Sequence, residues 1–364
     1  MPPDARIRVA VENWYPRFVA NGVDINDFER ITAGLERWDD WCQAWSDWGA
    51  MHAELGEESE AGGFYCSAGQ HFWQAAMLYH FGKFMFFHCP EQHRAAHERT
   101  VCLYQRALPY LDPAGERVEI PYEGGAVIPG ILRKPPHVPR PPVVILVPGL
   151  DSVKEELHAY GEDFLRRGLA VLAIDGPGQG EMEFDHPIRF DYEVPLRYVL
   201  DYLAGRRDVD GHRVGAMGVS FGGYYALRAS AFDTRLRAVI SVATGYRFAD
   251  YFERVPILTR EAMIHRLHAA GADEAREKLR AFDLHGLMGR LGGPALIIMG
   301  RKDRLFPAED AEAIVRDSAG KATLLMFDDG NHVCNNIPYK YRPRQADWMA
   351  RELGKDVLRR RNEY

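Results

Sequence analysis

The stretch "VGAMGVSFGG" at residues 214–223 decides the fold. Its first half is a short apolar run of the kind a buried strand supplies, and its second half sets Ser220 between Gly218 and Gly222. The helical pattern "GGYYALRASAF" at residues 222–232 follows at once. A strand that runs into a helix through G-x-S-x-G must turn sharply; the glycines relieve the crowding and the hydroxyl is left exposed above the sheet. Ser220 is therefore the candidate nucleophile, and a plain structural turn is the alternative.

Outward from this stretch, similar apolar runs appear at residues 143–149 ("VVILVPG"), 170–175 ("AVLAID"), 238–243 ("AVISVA"), 295–300 ("ALIIMG") and 322–327 ("ATLLMF"). Helical patterns such as "EELHAYGEDFLRRG" and "YEVPLRYVLDYLAGR" lie between them. Strand and helix in alternation predict an α/β fold, a mostly parallel sheet with helices on both faces. Upstream, "RVEIPY" and "AVIPGILRKP" flank "EGG" and suit a hairpin, and the proline-rich "KPPHVPRPP" at 134–142 leads into the first parallel strand.

From Asp24 to about Leu111 the texture is helical. Trp38, Trp41, Cys42, Trp45 and Trp48 recur at three- and four-residue spacing along one helix face, the same period runs through "FWQAAMLYHFGKFMFF" at 72–87, and a further helix is expected from Glu91 to Leu108. The division expected is a helical N-terminal domain at residues 1–111 that covers the active site, then a catalytic domain at 112–364. Between Gly245 and Leu291 the chain is too long for a simple crossover and mostly helical, which reads as a cap inserted over the carboxyl edge of the sheet. Packing between helices accounts for the aromatic stripes; lining a shared pocket is the sharper reading.

Composition narrows the function classes. A chain of 364 residues that is 46% hydrophobic has enough apolar material for one large domain and a smaller one, so disorder is excluded. The net charge of −7 offers no basic field for phosphates, and the one cationic run is "RRR" at residues 359–361, so nucleic acid is not an expected partner. Cys42, Cys66, Cys89, Cys102 and Cys334 form no CxxC pair and read as reduced thiols. The opening "MPPDARIRVAVENWYPRF" has charges within it and no apolar h-region, so a cytoplasmic protein without membrane attachment is expected.

A serine nucleophile needs a base of near-neutral pKa and a carboxylate to orient that base. "IIMGRKDRLFP" puts Asp303 just past one predicted strand, and "LLMFDDGNHVCNN" puts His332 just past the next. Both loops leave the edge that carries Ser220, so three residues remote in sequence converge. Asp328 and Asp329 compete with Asp303 but lie too close in sequence to His332 to be favoured. The oxyanion hole calls for two backbone N–H groups: Phe221, after the nucleophile, and Leu150 in "VPGLDS". "DGPGQGE" at 175–181 is glycine-rich after a strand, but it is not GxGxxG and no lysine follows, so it reads as a structural loop beside the pocket. His88, His93 and His97 are the nearest approach to a metal motif, and no HExxH or paired Cys/His spacing occurs.

The order Ser220, Asp303, His332, with "GVSFGG" and "GNH", resembles the α/β-hydrolase superfamily. With the helical front "RFVANGVDINDF…WDDWCQAW…AGGFYCSAGQHFWQAAMLYHFGKFMF", "PGLDSVKEE" and "DGPGQGEM", the chain resembles one branch of it, the 2,6-dihydroxypseudooxynicotine hydrolases and the fungal heptaketide (pigment polyketide) hydrolases. The resemblance covers nearly the whole chain. It implies a serine hydrolase that cleaves a carbon–carbon bond next to a ketone in an aromatic or polyketide-like small molecule, without metal or organic cofactor, as a homodimer. It also implies a further glutamate beside the triad, for which "GYRFADYFERV" offers Asp250 and Glu253. A carboxylesterase or thioesterase on the same scaffold is the alternative, because fold and triad do not fix the leaving group. A non-catalytic ligand-binding protein is the reading from another class.

Overall fold

The computed structural model describes residues 4–354; the "RRR" run lies outside the described residues. Eight strands form one sheet in the order β1-β2-β4-β3-β5-β6-β7-β8. These are β1 (Gly115–Pro121), β2 (Val127–Arg133), β3 (Pro142–Val147), β4 (Ala170–Ile174), β5 (Asp210–Val219), β6 (Leu236–Val242), β7 (Ala295–Gly300) and β8 (Ala322–Phe327). From β4 through β8 every neighbouring pair is parallel, whereas β2 runs antiparallel to β4. Every residue of β3, β4 and β7 is buried, which is why these strands read as continuous apolar runs rather than alternating ones.

The helices, in chain order, are α1 (Ala5–Ala20), α2 (Ile25–Thr32), α3 (Trp41–Ala61), α4 (Tyr65–Lys83), α5 (Pro90–Ala107), α6 (His158–Leu165), α7 (Glu193–Gly205), α8 (Phe221–Phe232), α9 (Ile257–Arg266), α10 (Ala272–Leu279), α11 (Ala308–Asp317) and α12 (Pro338–Leu353). Against the sheet, α6 packs with α12 and α7 packs with α8, giving the layers on its two faces.

The chain forms two compact units. One holds the described residues up to Arg117 together with Pro256–Ala262; the other holds Val118–Val255 and the described residues from Met263. The core of the first is aromatic: Phe18 packs edge-on against Phe81 at a ring distance of 4.3 Å, and buried Trp41 donates its indole N–H to the Phe81 carbonyl at 3.0 Å. That hydrogen bond satisfies the one polar atom the indole brings into the core.

Two features of this unit depart from the sequence reading. A helix, α1, precedes Asp24; Asp4 caps it by accepting from Arg6 N at 2.8 Å, and Pro16 sits within it. Helix α4 ends at Lys83 rather than continuing to Phe87. Met85 adopts φ +51°, and the turn it makes lets Phe84 meet Trp14 and Phe18 while Phe86 meets Trp38. Pro90 opens α5 at its first turn, where a missing N–H costs nothing.

The interval between β6 and β7 carries α9 and α10 and is tied back on itself. Phe248 N donates to Phe282 O at 3.0 Å, and Leu284 N to Tyr246 O at 3.0 Å. Among the described residues no helix is long and apolar enough to cross a membrane.

Candidate active site

Ser220 stands between the end of β5 and the first residue of α8 with φ +55° and ψ −118°. A side-chain-bearing residue pays for that conformation, so it persists only where its surroundings impose it. They do so through close approach. A Cβ on Gly218 would lie 2.0 Å from Gly222 O, and one on Gly222 would lie 2.2 Å from Val147 O, so neither site accepts any other residue without moving backbone. Ser220 N donates to Val242 O at 2.8 Å, which anchors the turn to β6.

Asp303 and His332 come from the loops after β7 and β8, and those loops are bridged by Lys302 N donating to Gly330 O at 2.9 Å. The structure brings the two side chains together: His332 Nδ1 is 2.8 Å from Asp303 Oδ2. The other carboxylate oxygen accepts from Leu305 N at 2.8 Å and Phe306 N at 3.1 Å, so the carboxylate is clamped. The Asp303 side chain is 1% exposed and that of His332 11% exposed. Val333 and Cys334 follow in left-handed conformations, φ +59° and +51°, turning the chain sharply after His332. The competing acids lie elsewhere: Asp328 pairs with Arg301 at 2.9 Å and Asp329 with Lys340 at 2.5 Å.

The loop after β3 runs alongside the nucleophile, since a Cβ on Gly149 would lie 3.4 Å from Ser220 Cβ. Leu150 is buried in that loop, and Phe221 begins α8. Neither backbone N–H donates to a backbone carbonyl among the loop, turn and cap hydrogen bonds of the described residues. Around Phe221 the rings crowd: Phe248 at 4.1 Å and Phe282 at 5.9 Å, with Phe306 5.2 Å from Phe248 and 5.6 Å from the His332 ring.

Asp250 and Glu253 do not join this group. Their side chains are 55% and 58% exposed, and they face Arg247 and Arg276 respectively.

The residues that the sequence reading passed over are ionic. Lys154 Nζ, fully buried, lies 2.7 Å from Glu155 Oε1, 2.8 Å from Asp175 Oδ2 and 2.6 Å from Glu181 Oε1. Asp175 also accepts from Lys154 N at 2.8 Å, which fastens the loop after β3 to the loop after β4. Burial works against the ammonium, but the three carboxylates outweigh it and hold Lys154 well above its usual range. Burial pushes Glu155 up to about 7 against the pull of Lys154. The three carboxylates lie close enough for a metal ion, yet the lysine ammonium already sits among them. The usable signal was "KEE" after one strand and "DGPGQGE" after its neighbour, charged residues where two buried strands end side by side.

Comparison with known proteins supports this architecture. The chain is 30% identical over 341 residues, 93% of its own length and 90% of the relative's, to 2,6-dihydropseudooxynicotine hydrolase of Paenarthrobacter nicotinovorans. The crystal structure of 2,6-dihydroxy-pseudo-oxynicotine hydrolase superposes with a TM-score of 0.85, at 30% identity, over 93% of this chain and 95% of that one. The 20-hydroxy-prefusarin hydrolase FUS2 of Gibberella moniliformis is 36% identical over 214 residues, 55% of this chain and about half (51%) of that protein. The family of FrsA-like esterases matches across residues 26–353. With hydrolases as its relatives and an eight-stranded, mostly parallel sheet as its core, the chain is an α/β hydrolase and belongs to the FrsA-like esterase family.

Proposed function

We propose that the protein is a serine hydrolase that cleaves a carbon–carbon bond next to a ketone in an aromatic or polyketide-like small molecule. The observation that carries the catalytic part is the clamped pair: Asp303 holds Nδ1 of His332 at 2.8 Å, which leaves Nε2 as the basic nitrogen.

On this reading Ser220 Oγ attacks the ketone carbon as its proton passes to His332 Nε2. The carbonyl oxygen becomes an oxyanion and accepts from the N–H groups of Leu150 and Phe221. Collapse of that intermediate breaks the carbon–carbon bond; the electron pair leaves with the departing carbon as an enolate or phenolate-stabilised anion, which takes the proton from His332. Water, deprotonated by the same imidazole, then hydrolyses the acyl-serine and releases the acid. The aromatic rings from Phe221, Phe248, Phe282 and Phe306 favour a flat aromatic substrate. The relative named for a pseudooxynicotine substrate supports the ketone class.

Ester or thioester hydrolysis is the second reading, favoured by the esterase family match. It uses the same first steps and differs in the leaving atom. The deciding experiment gives the purified protein aryl 1,3-diketones beside aryl esters and thioesters and identifies products by mass spectrometry. Diketone cleavage that disappears in Ser220→Ala is the expected result. Turnover of the esters alone would move the protein to the esterase reading, and full activity in Ser220→Ala would remove the serine from the mechanism.

A further inference from the structure

The glycine-rich loop after β4 has a residue that the mechanism above does not use. Gln179 is fully buried, and all four hydrogen-bonding positions of its amide are filled. Its Nε2 donates to Pro148 O at 2.6 Å and to Gly149 O at 3.2 Å. Its Oε1 accepts from Gly176 N at 3.1 Å and from the Tyr192 hydroxyl at 2.6 Å. Two carbonyls on one side and two N–H or O–H donors on the other fix which end of the amide is nitrogen.

The consequence follows from peptide geometry. The Gly149 carbonyl and the Leu150 N–H belong to one planar trans peptide and point in opposite directions. A donor that grips the carbonyl therefore aims the N–H. The grip is itself braced, because the Tyr192 ring stacks on Tyr225 of α8 at 3.9 Å, and α8 is the helix that Ser220 begins. One chain of contacts thus runs from the nucleophile helix through Tyr225, Tyr192 and Gln179 to the peptide that carries the second oxyanion donor.

We propose that Gln179 is a positioning residue for the oxyanion hole: its amide holds the Gly149–Leu150 peptide so that the Leu150 N–H meets the oxyanion formed at Ser220. The proposal rests on the reading of Ser220 as nucleophile. The loop read as structural from sequence alone is then a clamp on the reaction centre, with Gln179 as the contact that sets the angle.

The test replaces Gln179 by methionine, which keeps length and loses both donors, and replaces Tyr192 by phenylalanine, which keeps the stack and removes one donor to Oε1. Turnover of an aryl ester is measured together with binding of an aryl trifluoromethyl ketone, which forms an oxyanion adduct, and of the corresponding alcohol, which does not. Gln179→Met is expected to lower kcat about 100-fold, the scale of losing one oxyanion donor. KM and alcohol affinity should stay within about 3-fold, and ketone affinity should fall in parallel with kcat/KM. Tyr192→Phe should show the same parallel at about 3- to 10-fold, and it decides the matter if Gln179→Met does not fold. A fall in turnover with ketone affinity intact, or wild-type behaviour of a folded variant, overturns the proposal. Failure of the underlying reading looks different: Ser220→Ala would then retain turnover and the wild-type protein would form no ketone adduct.

Discussion

Asp303 grips His332 with one oxygen only: Oδ2 lies 2.8 Å from Nδ1, while Oδ1 is spent on the N–H groups of Leu305 and Phe306. That division of labour fixes the tautomer. Under the proposed mechanism Nδ1 carries the proton and Nε2 serves as the base.

Asp303→Asn should therefore cripple turnover without unfolding the loop. The asparagine oxygen can keep the two backbone donors, in which case its NH2 faces Nδ1 and drives the proton to Nε2, the wrong nitrogen. A fall in kcat of about 10³- to 10⁴-fold with KM little changed is expected, by analogy with the same change in other Ser-His-Asp enzymes. Steady-state kinetics on an aryl ester, with circular dichroism to confirm the fold, would check it; a loss under 10-fold would remove Asp303 from the role.

The two glycines around the nucleophile make a stability prediction with an internal control. A Cβ on Gly222 would lie 2.2 Å from Val147 O and 2.6 Å from Pro148 O, backbone atoms at the end of β3 and in the loop that follows it. Gly222→Ala should cost about 1–3 kcal/mol or more of stability and displace the loop after β3, with activity lost alongside. Gly205, at the end of α7, has nothing within 4 Å of an added Cβ, so Gly205→Ala should be neutral or slightly stabilising. Thermal melts of both variants measure the contrast, and equal melting temperatures would contradict it.

Much of the fold was legible because the three candidate site residues follow short, strongly apolar runs, and such runs in alternation with helical patterns mark buried parallel strands. The chain order Ser220, Asp303, His332 then placed them on one edge. Helix α1 was masked by Pro16, which reads as a breaker, although Ile7, Ala10, Trp14 and Phe18 recur at three- and four-residue spacing and Asp4 caps its start. The early end of α4 was hidden for a related reason, since Phe84 continues the three-residue spacing from buried Phe81 although the helix has ended at Lys83. Glu155, Asp175 and Glu181 escaped notice because their common partner, Lys154, meets Asp175 and Glu181 only through tertiary structure.

The expectation of an auxiliary acid at Asp250 or Glu253 is open to a direct test. Glu253 pairs with Arg276, a partner 23 residues further along the chain, and both side chains are about half exposed (58% and 45%). Such a pair contributes at most about 1 kcal/mol. Glu253→Gln and Asp250→Asn should each leave kcat within about 2-fold and melting nearly unchanged. A loss of kcat above 10-fold in either variant would restore that residue to the mechanism.

Glu155 is expected to give the fold a pH dependence. Its carboxyl shares the buried space around Lys154 with Asp175 and Glu181, and burial lifts it to about 7 from an ordinary 4.5. Between those values the native chain holds a proton that the unfolded chain has released. Stability from this group is thus complete below about pH 4.5, falls as pH rises, and is lost above about 7, with up to about 1.4 kcal/mol for each pH unit of the window. Glu155→Gln removes that slope while the other titrating groups stay common to both proteins. The difference in unfolding free energy, variant minus wild type, should therefore climb in the variant's favour from pH 5 to pH 7 and level off by pH 8. Urea denaturation at intervals of half a pH unit measures it. A difference that stays flat would mean that Glu155 is ionised throughout, with Lys154 outweighing the burial.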